Sequence, residues 1–124
     1  MENELLALSL RSAQFIQDSL YDAIKAQDRQ KIASFFSQSF KLATCSSTPM
    51  NRDQYVDLLF SWHSYEVIYE IGNRTITGGS NLEYDMIEKV AGLVYETKTD
   101  AVLENEKWTI THRLITKCEP EPSE

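Results

Sequence analysis

From Asn3 to Ala26 the chain contains neither Pro nor Gly, and Leu5, Leu8, Ile16, Leu20 and Ile24 recur at multiples of three- and four-residue steps between Ser, Gln and Asp. That period predicts one long amphipathic helix. Gln27-Asp28 interrupts it. Asp28 supplies a capping side chain, and Ile32, Phe35 and Phe36 give a second, shorter helix over Arg29 to Ser37 its apolar stripe. Phe40 to Cys45 alternates weakly and predicts a short strand, which the loop composition of Ser46 to Pro49 stops. Asn51 followed by Gln54 has the spacing of a capping box, and Tyr55, Leu58, Leu59 and Trp62 then predict a third helix ending near Trp62.

Beyond His63 the period shortens to two and β-formers dominate. Strands are expected over Tyr65 to Thr77, Leu82 to Val90, Leu93 to Leu103 and Lys107 to Lys117. The turns between them fall at Gly78 to Asn81, Ala91-Gly92 and Glu104 to Glu106. Gly72-Asn73 reads either as a hairpin turn inside the first strand or as a bulge. Three helices followed by strands make an α+β chain, with the helices packed in the concave face of a curved, mostly antiparallel sheet and a pocket between the two. One domain is expected over residues 1–118, and the tail from Glu119 to Glu124 is too polar to bury and is expected to be disordered.

Composition narrows the function classes. A formal net charge of -7 opposes a nucleic-acid or anionic-membrane surface, because both need clustered Lys and Arg. No apolar run approaches a membrane span, and Met1-Glu-Asn-Glu4 lacks the basic start of a signal peptide, so a cytoplasmic address is expected. Cys45 and Cys118 stand far apart with no CxxC, and the two histidines have no acidic partner at ligand spacing. Neither a metal site nor a cofactor is therefore expected. His63, at the end of the third helix, has a sufficient role as a capping donor.

The order of elements, with Asp28-x-x-x-Ile-x-x-Phe-Phe36 and Thr99-Asp-Ala-Val-x-x-x-x-Lys-Trp-x-Ile-x-His-Arg113, resembles the nuclear transport factor 2-like superfamily, and within it the SnoaL-like branch. The resemblance spans nearly the whole chain and implies a cone-like, cystatin-like fold that forms homodimers through its sheet. It also implies places for chemistry. Asp100 falls where ketosteroid isomerases carry their second, oxyanion-hole aspartate, while Leu20 and Thr44 stand where that family has its tyrosine and general-base aspartate. Lys98-Thr-Asp100 resembles the Arg-x-Asp segment of limonene epoxide hydrolases, with Lys for Arg.

Pairing Leu103 with Trp108 across the last turn divides the hairpin into two sets. Tyr95, Thr97, Thr99, Ala101, Leu103, Trp108, Ile110, His112 and Leu114 form one; Lys98, Asp100, Val102, Thr109, Thr111, Arg113 and Ile115 form the other. Hydrophobicity places the first set against the helices. The resemblance places the second there, lining a pocket, with the apolar set covered by a second copy of the chain.

In the pocket reading Asp100 is a general base beside the cation Lys98, with Arg113 and Thr111 as ligand contacts and Tyr21 and Trp62 as an aromatic wall at the mouth. In the other reading these charges are cross-strand pairs on a solvated sheet. His112 is a proton shuttle in the first and a packed or interface side chain in the second. The chain then reads as a homodimeric domain binding a small organic ligand. Alternatives are an isomerase, cyclase or hydrolase using Asp100, and a non-catalytic oligomerisation or partner-binding module.

Overall fold

A computed structural model describes residues 2–43 and 48–120, with the side chains of residues 2, 3 and 117–120 left aside. Helix α1 spans Glu2–Lys25, α2 Arg29–Ser34 and α3 Arg52–Phe60. The strands are β1 Phe36–Ala43, β2 Met50–Asn51, β3 Ile68–Thr77, β4 Asn81–Val90, β5 Leu93–Glu104 and β6 Lys107–Pro120. Their order across one open sheet is β2-β1-β6-β5-β4-β3, with β1 parallel to β6 and every other pair antiparallel. This is the α+β architecture expected.

Local chemistry accounts for the boundaries. Asp28 caps α2 by accepting from the Lys31 amide, and Asn51 with Gln54 forms a full capping box on α3. Helix α2 is shorter than predicted because Phe35 and Phe36 leave it. The Phe35 carbonyl accepts from the Ile110 amide, so the chain is already docked on β6 where a longer helix was expected. Phe36 instead packs against Phe40 and Tyr55, with ring centroids 4.8 and 5.3 Å away. Gly72-Asn73 is a bulge and not a turn, since pairing with β4 slips between Ile71 and Arg74. Ala91-Gly92 and Asn105-Glu106 have positive φ at both central residues, the pattern whose twist suits a two-residue hairpin.

The core lies between the helices and one face of the sheet. Ile16, Leu20 and Ile24 of α1 and Leu59 of α3 are buried with Phe40 and Leu42 of β1 and Leu82 and Met86 of β4. On β5 the buried side chains are Thr97, Thr99 and Ala101, the parity that hydrophobicity predicts. On β6 the parity changes midway. Leu103 does pair with Trp108 and Ala101 with Ile110, but Asp100 pairs with His112 and Thr99 with Arg113, so Thr111 is the extra residue of a bulge.

Neither of the two sets deduced from a strict alternation therefore survives as a unit. Ile110 and Arg113 share the inner face, while Lys98, half-buried Asp100 and exposed His112 stand on the outer one. Strand β6 also continues through Glu119 and Pro120, which pair with Val94 and Leu93, past the expected end of the domain. Cys45, the Cys118 side chain and the rest of the expected tail lie outside the described residues.

Candidate functional site

Arg113 is fully buried, and the inner face of the sheet is organised to hold it. Its Nε donates to Thr99 Oγ1 at 3.0 Å and one terminal nitrogen to the Tyr55 hydroxyl at 2.9 Å. The other terminal nitrogen donates to Gln17 Oε1 and, at 3.4 Å, to the Tyr84 hydroxyl. The Phe36 and Tyr55 rings lie 5.9 Å from the guanidinium carbon. Burial works against the charged form, but the fields of Tyr55, Tyr84 and Glu88 outweigh it, so Arg113 stays protonated.

Gln17 carries the network onward. Its amide oxygen also accepts from Tyr84 at 2.6 Å, and its amide nitrogen donates to the Tyr21 hydroxyl at 2.9 Å. Tyr21 in turn donates to Glu88 Oε2. Glu88 is 2% exposed, and burial pushes its pKa up, partly offset by Arg113 and by the Tyr21 hydrogen bond. Among the described residues Tyr21 is the side chain that donates to this carboxyl. A buried cation and a buried carboxyl are thus joined through neutral side chains of α1 and β4.

Above Glu88 the structure opens. A cleft of about 220 Å³ between α1, β3 and the segment after α3 is lined by Asp18, Tyr21, Trp62, Tyr65, Val67 and Tyr69, with Asp22 and Lys25 at its rim. Tyr21 and Tyr69 meet with ring centroids 5.4 Å apart, and Trp62 stacks on Tyr95 at 6.0 Å. Tyr95 is the cross-strand partner of Glu88. Tyr69 donates to Asp18 at 2.6 Å, and the pKa of its hydroxyl is pushed up by burial and by that carboxylate.

The structure divides the residues that sequence singled out. Tyr21 and Trp62 line the cleft together, and Arg113 is linked to Tyr21 through Gln17. Lys98, Asp100 and Thr111 do not join them, because the bulge at Thr111 turns Arg113 inward and leaves these three on or toward the outer face. Thr111 Oγ1 donates to the Asp100 carbonyl at 3.3 Å, which ties the bulge to its neighbour. Lys98 instead borders a larger outer depression of about 520 Å³, whose walls carry Glu70, Asp85 and Glu96. That depression has charges of both signs and no aromatic wall. Sequence reasoning missed Gln17, Tyr55, Tyr84 and Glu88. Glu88 alternates in phase with Leu82, Tyr84 and Met86, and that phase is the signal that marks it as inward-facing.

No group of three His, Cys, Asp or Glu among the described residues could hold a metal ion. No described helix is long and apolar enough to cross a membrane.

A model of the NTF2-like domain matches residues 12–120. Among solved structures, an NTF-2-like protein of unknown function from Silicibacter pomeroyi superposes with a TM-score of 0.75 at 12% identity, covering 92% of this chain and 98% of that one. A ketosteroid isomerase-like protein from Erwinia carotovora atroseptica gives 0.62 at 10% identity, covering 89% of this chain and 94% of that one. A scytalone dehydratase-like protein from Novosphingobium aromaticivorans gives 0.66 at 9% identity, covering 98% of this chain and 93% of that one. At these identities the likeness is one of fold. No curated protein matches the chain. With the helix order, the open mixed sheet and the matched span in agreement, the chain belongs to the NTF2-like domain family.

Proposed function

We propose that this domain binds a small organic molecule in the cleft between α1 and β3. The observation that carries the reading is the aromatic wall of Tyr21, Trp62, Tyr65 and Tyr69 placed directly over a buried polar network. Aromatic surface with a few convergent polar groups is the usual make-up of a ligand site. The test is a thermal-shift screen of small metabolites, with the variant Val67→Trp to fill the cleft. The expected result is a concentration-dependent rise in melting temperature that Val67→Trp abolishes. No rise with any compound, or a rise that survives the filling, would sink the reading.

A second reading is favoured by the contact of buried Glu88 with the cleft-lining Tyr21, together with its raised pKa. In it the bound molecule is also turned over, by an isomerase-, cyclase- or hydrolase-type proton transfer, with Glu88 as the proton carrier in place of Asp100. Glu88→Gln is expected to abolish turnover of the ligand found in the screen while leaving its binding within about two-fold, roughly 0.4 kcal/mol. Pairing of two copies through the outer face of the sheet belongs to both readings. Ile87 and Leu114 support it, being 41% and 46% exposed there.

A further inference from the structure

The proposal concerns which chemical class the cleft accepts, and it rests on the small-molecule reading above. Its volume of about 220 Å³ is below the roughly 300–1,000 Å³ usual for drug-sized ligands, so the bound group has few heavy atoms. Four of its lining side chains, Tyr21, Trp62, Tyr65 and Tyr69, are aromatic. Aromatic faces carry a negative quadrupole that attracts a cation, most strongly at Trp.

The charges around the cleft point the same way. Asp18 and Asp22 line it, and Glu88 lies just behind Tyr21. Among the described residues the Asp18 carboxylate is engaged by Tyr69, and the Asp22 carboxylate has neither an ion pair nor a hydrogen bond. Among the described residues that line the cleft Lys25 is the single cation, and neither aspartate lies within ion-pair distance of it. An anion entering here meets two carboxylates and a buried third before it profits from Lys25. A neutral apolar group desolvates the carboxylates and tyrosine hydroxyls without compensating them.

We propose that the cleft is a receptor for a small organic cation, an alkylated ammonium group seated among Tyr21, Trp62, Tyr65 and Tyr69 and held by the carboxylates of Asp18 and Asp22. The alkyl groups cover the rings and the charge faces the acidic rim. The hydroxyl tips of the tyrosines then remain available to a polar substituent on the same ligand.

The test uses three probes of one shape and three charges: choline, its neutral isostere 3,3-dimethylbutan-1-ol and the anion 3,3-dimethylbutanoate. Each is titrated calorimetrically into the full chain, Tyr65→Phe, Tyr65→Ala and Asp22→Asn. Tyr65 is 48% exposed and takes no part in the buried network, so these variants fold. Choline is expected to bind at least about ten-fold more tightly than either isostere, a size of preference that cation–π and carboxylate contacts supply.

Tyr65→Phe is expected to retain that affinity, with Tyr65→Ala and Asp22→Asn each weakening it several-fold. Equal or tighter binding of the neutral or anionic probe overturns the cation assignment and leaves the small-molecule reading standing. Choline binding indifferent to Tyr65→Ala and Asp22→Asn places the cation elsewhere and overturns the assignment as well. Binding of none of the three overturns the assignment, and the separate metabolite screen then decides the wider reading.

Discussion

At the scale of single residues, the site depends on how an Arg and a Glu are both kept inside an apolar core. Arg113 uses all three guanidinium nitrogens, and Glu88 has one hydrogen bond from Tyr21. Arg113→Met leaves Thr99 and Tyr55 without the donor that Arg113 supplied and Glu88 without its counter-charge, while Gln17 keeps Tyr84, and is expected to cost roughly 3–5 kcal/mol in urea denaturation. In the double variant Arg113→Met/Glu88→Gln the two losses are expected not to add, since both act on one network; strict additivity would show the two ends to be independent. Glu88 also predicts a pH dependence. Its folded pKa lies above the ordinary value of 4.5, so it holds its proton more tightly when folded. Its stabilising contribution is present below that value and is lost as pH rises through the folded pKa. Denaturation midpoints of the wild type, set against those of Glu88→Gln, are expected to fall with rising pH across that window. A constant difference would contradict the burial of this carboxyl.

At the scale of elements, the bulge at Thr111 decides what the last hairpin presents. A residue added to one strand reverses the alternation that follows, here as far as a second irregularity at Thr116, and this carries Arg113 into the core and His112 to the surface. Thr111→Ala removes one long side-chain hydrogen bond and is expected to cost no more than about 1 kcal/mol. Deleting Thr111 removes the extra residue and leaves His112 opposite Asp100 and Arg113 opposite Thr99 in a regular ladder, so Arg113 is expected to stay inward and cooperative unfolding to persist, as read by circular dichroism and urea titration. Loss of cooperative unfolding on deletion would show that the bulge itself, and not the pairing beyond it, seats the guanidinium. The capping residues, by contrast, were readable directly: Asp28 and Asn51 act through amides three residues away, and no distant part of the chain enters that interaction.

At the scale of the whole molecule, one sheet separates two different surfaces. Its inner face packs on the helices and carries the network beneath the cleft. Its outer face mixes Lys98, Asp100 and His112 with the exposed Ile87 and Leu114. If two copies pair there, sedimentation is expected to report a concentration-dependent dimer that Leu114→Lys converts to monomer with little change in melting temperature. A monomer at high concentration would end that proposal.

The helices, the strands after His63, the turns and the register at Leu103 and Trp108 could all be read from the chain, because spacing, caps and turn residues act over a few positions. Tyr21 and Trp62 stand out in the chain as aromatics, but the cleft they border exists only once α1 and β3 are packed together. Glu88 and Gln17 could not be read, because a buried Glu and a solvated one look alike in sequence until the phase of the strand and the helix above it are known. The facing of Arg113 was decided only by tertiary structure. The bulge at Thr111 has no Gly or Pro to announce it, and it persists because it brings a guanidinium within reach of Gln17, Tyr55, Tyr84 and Thr99, side chains supplied by four separate elements.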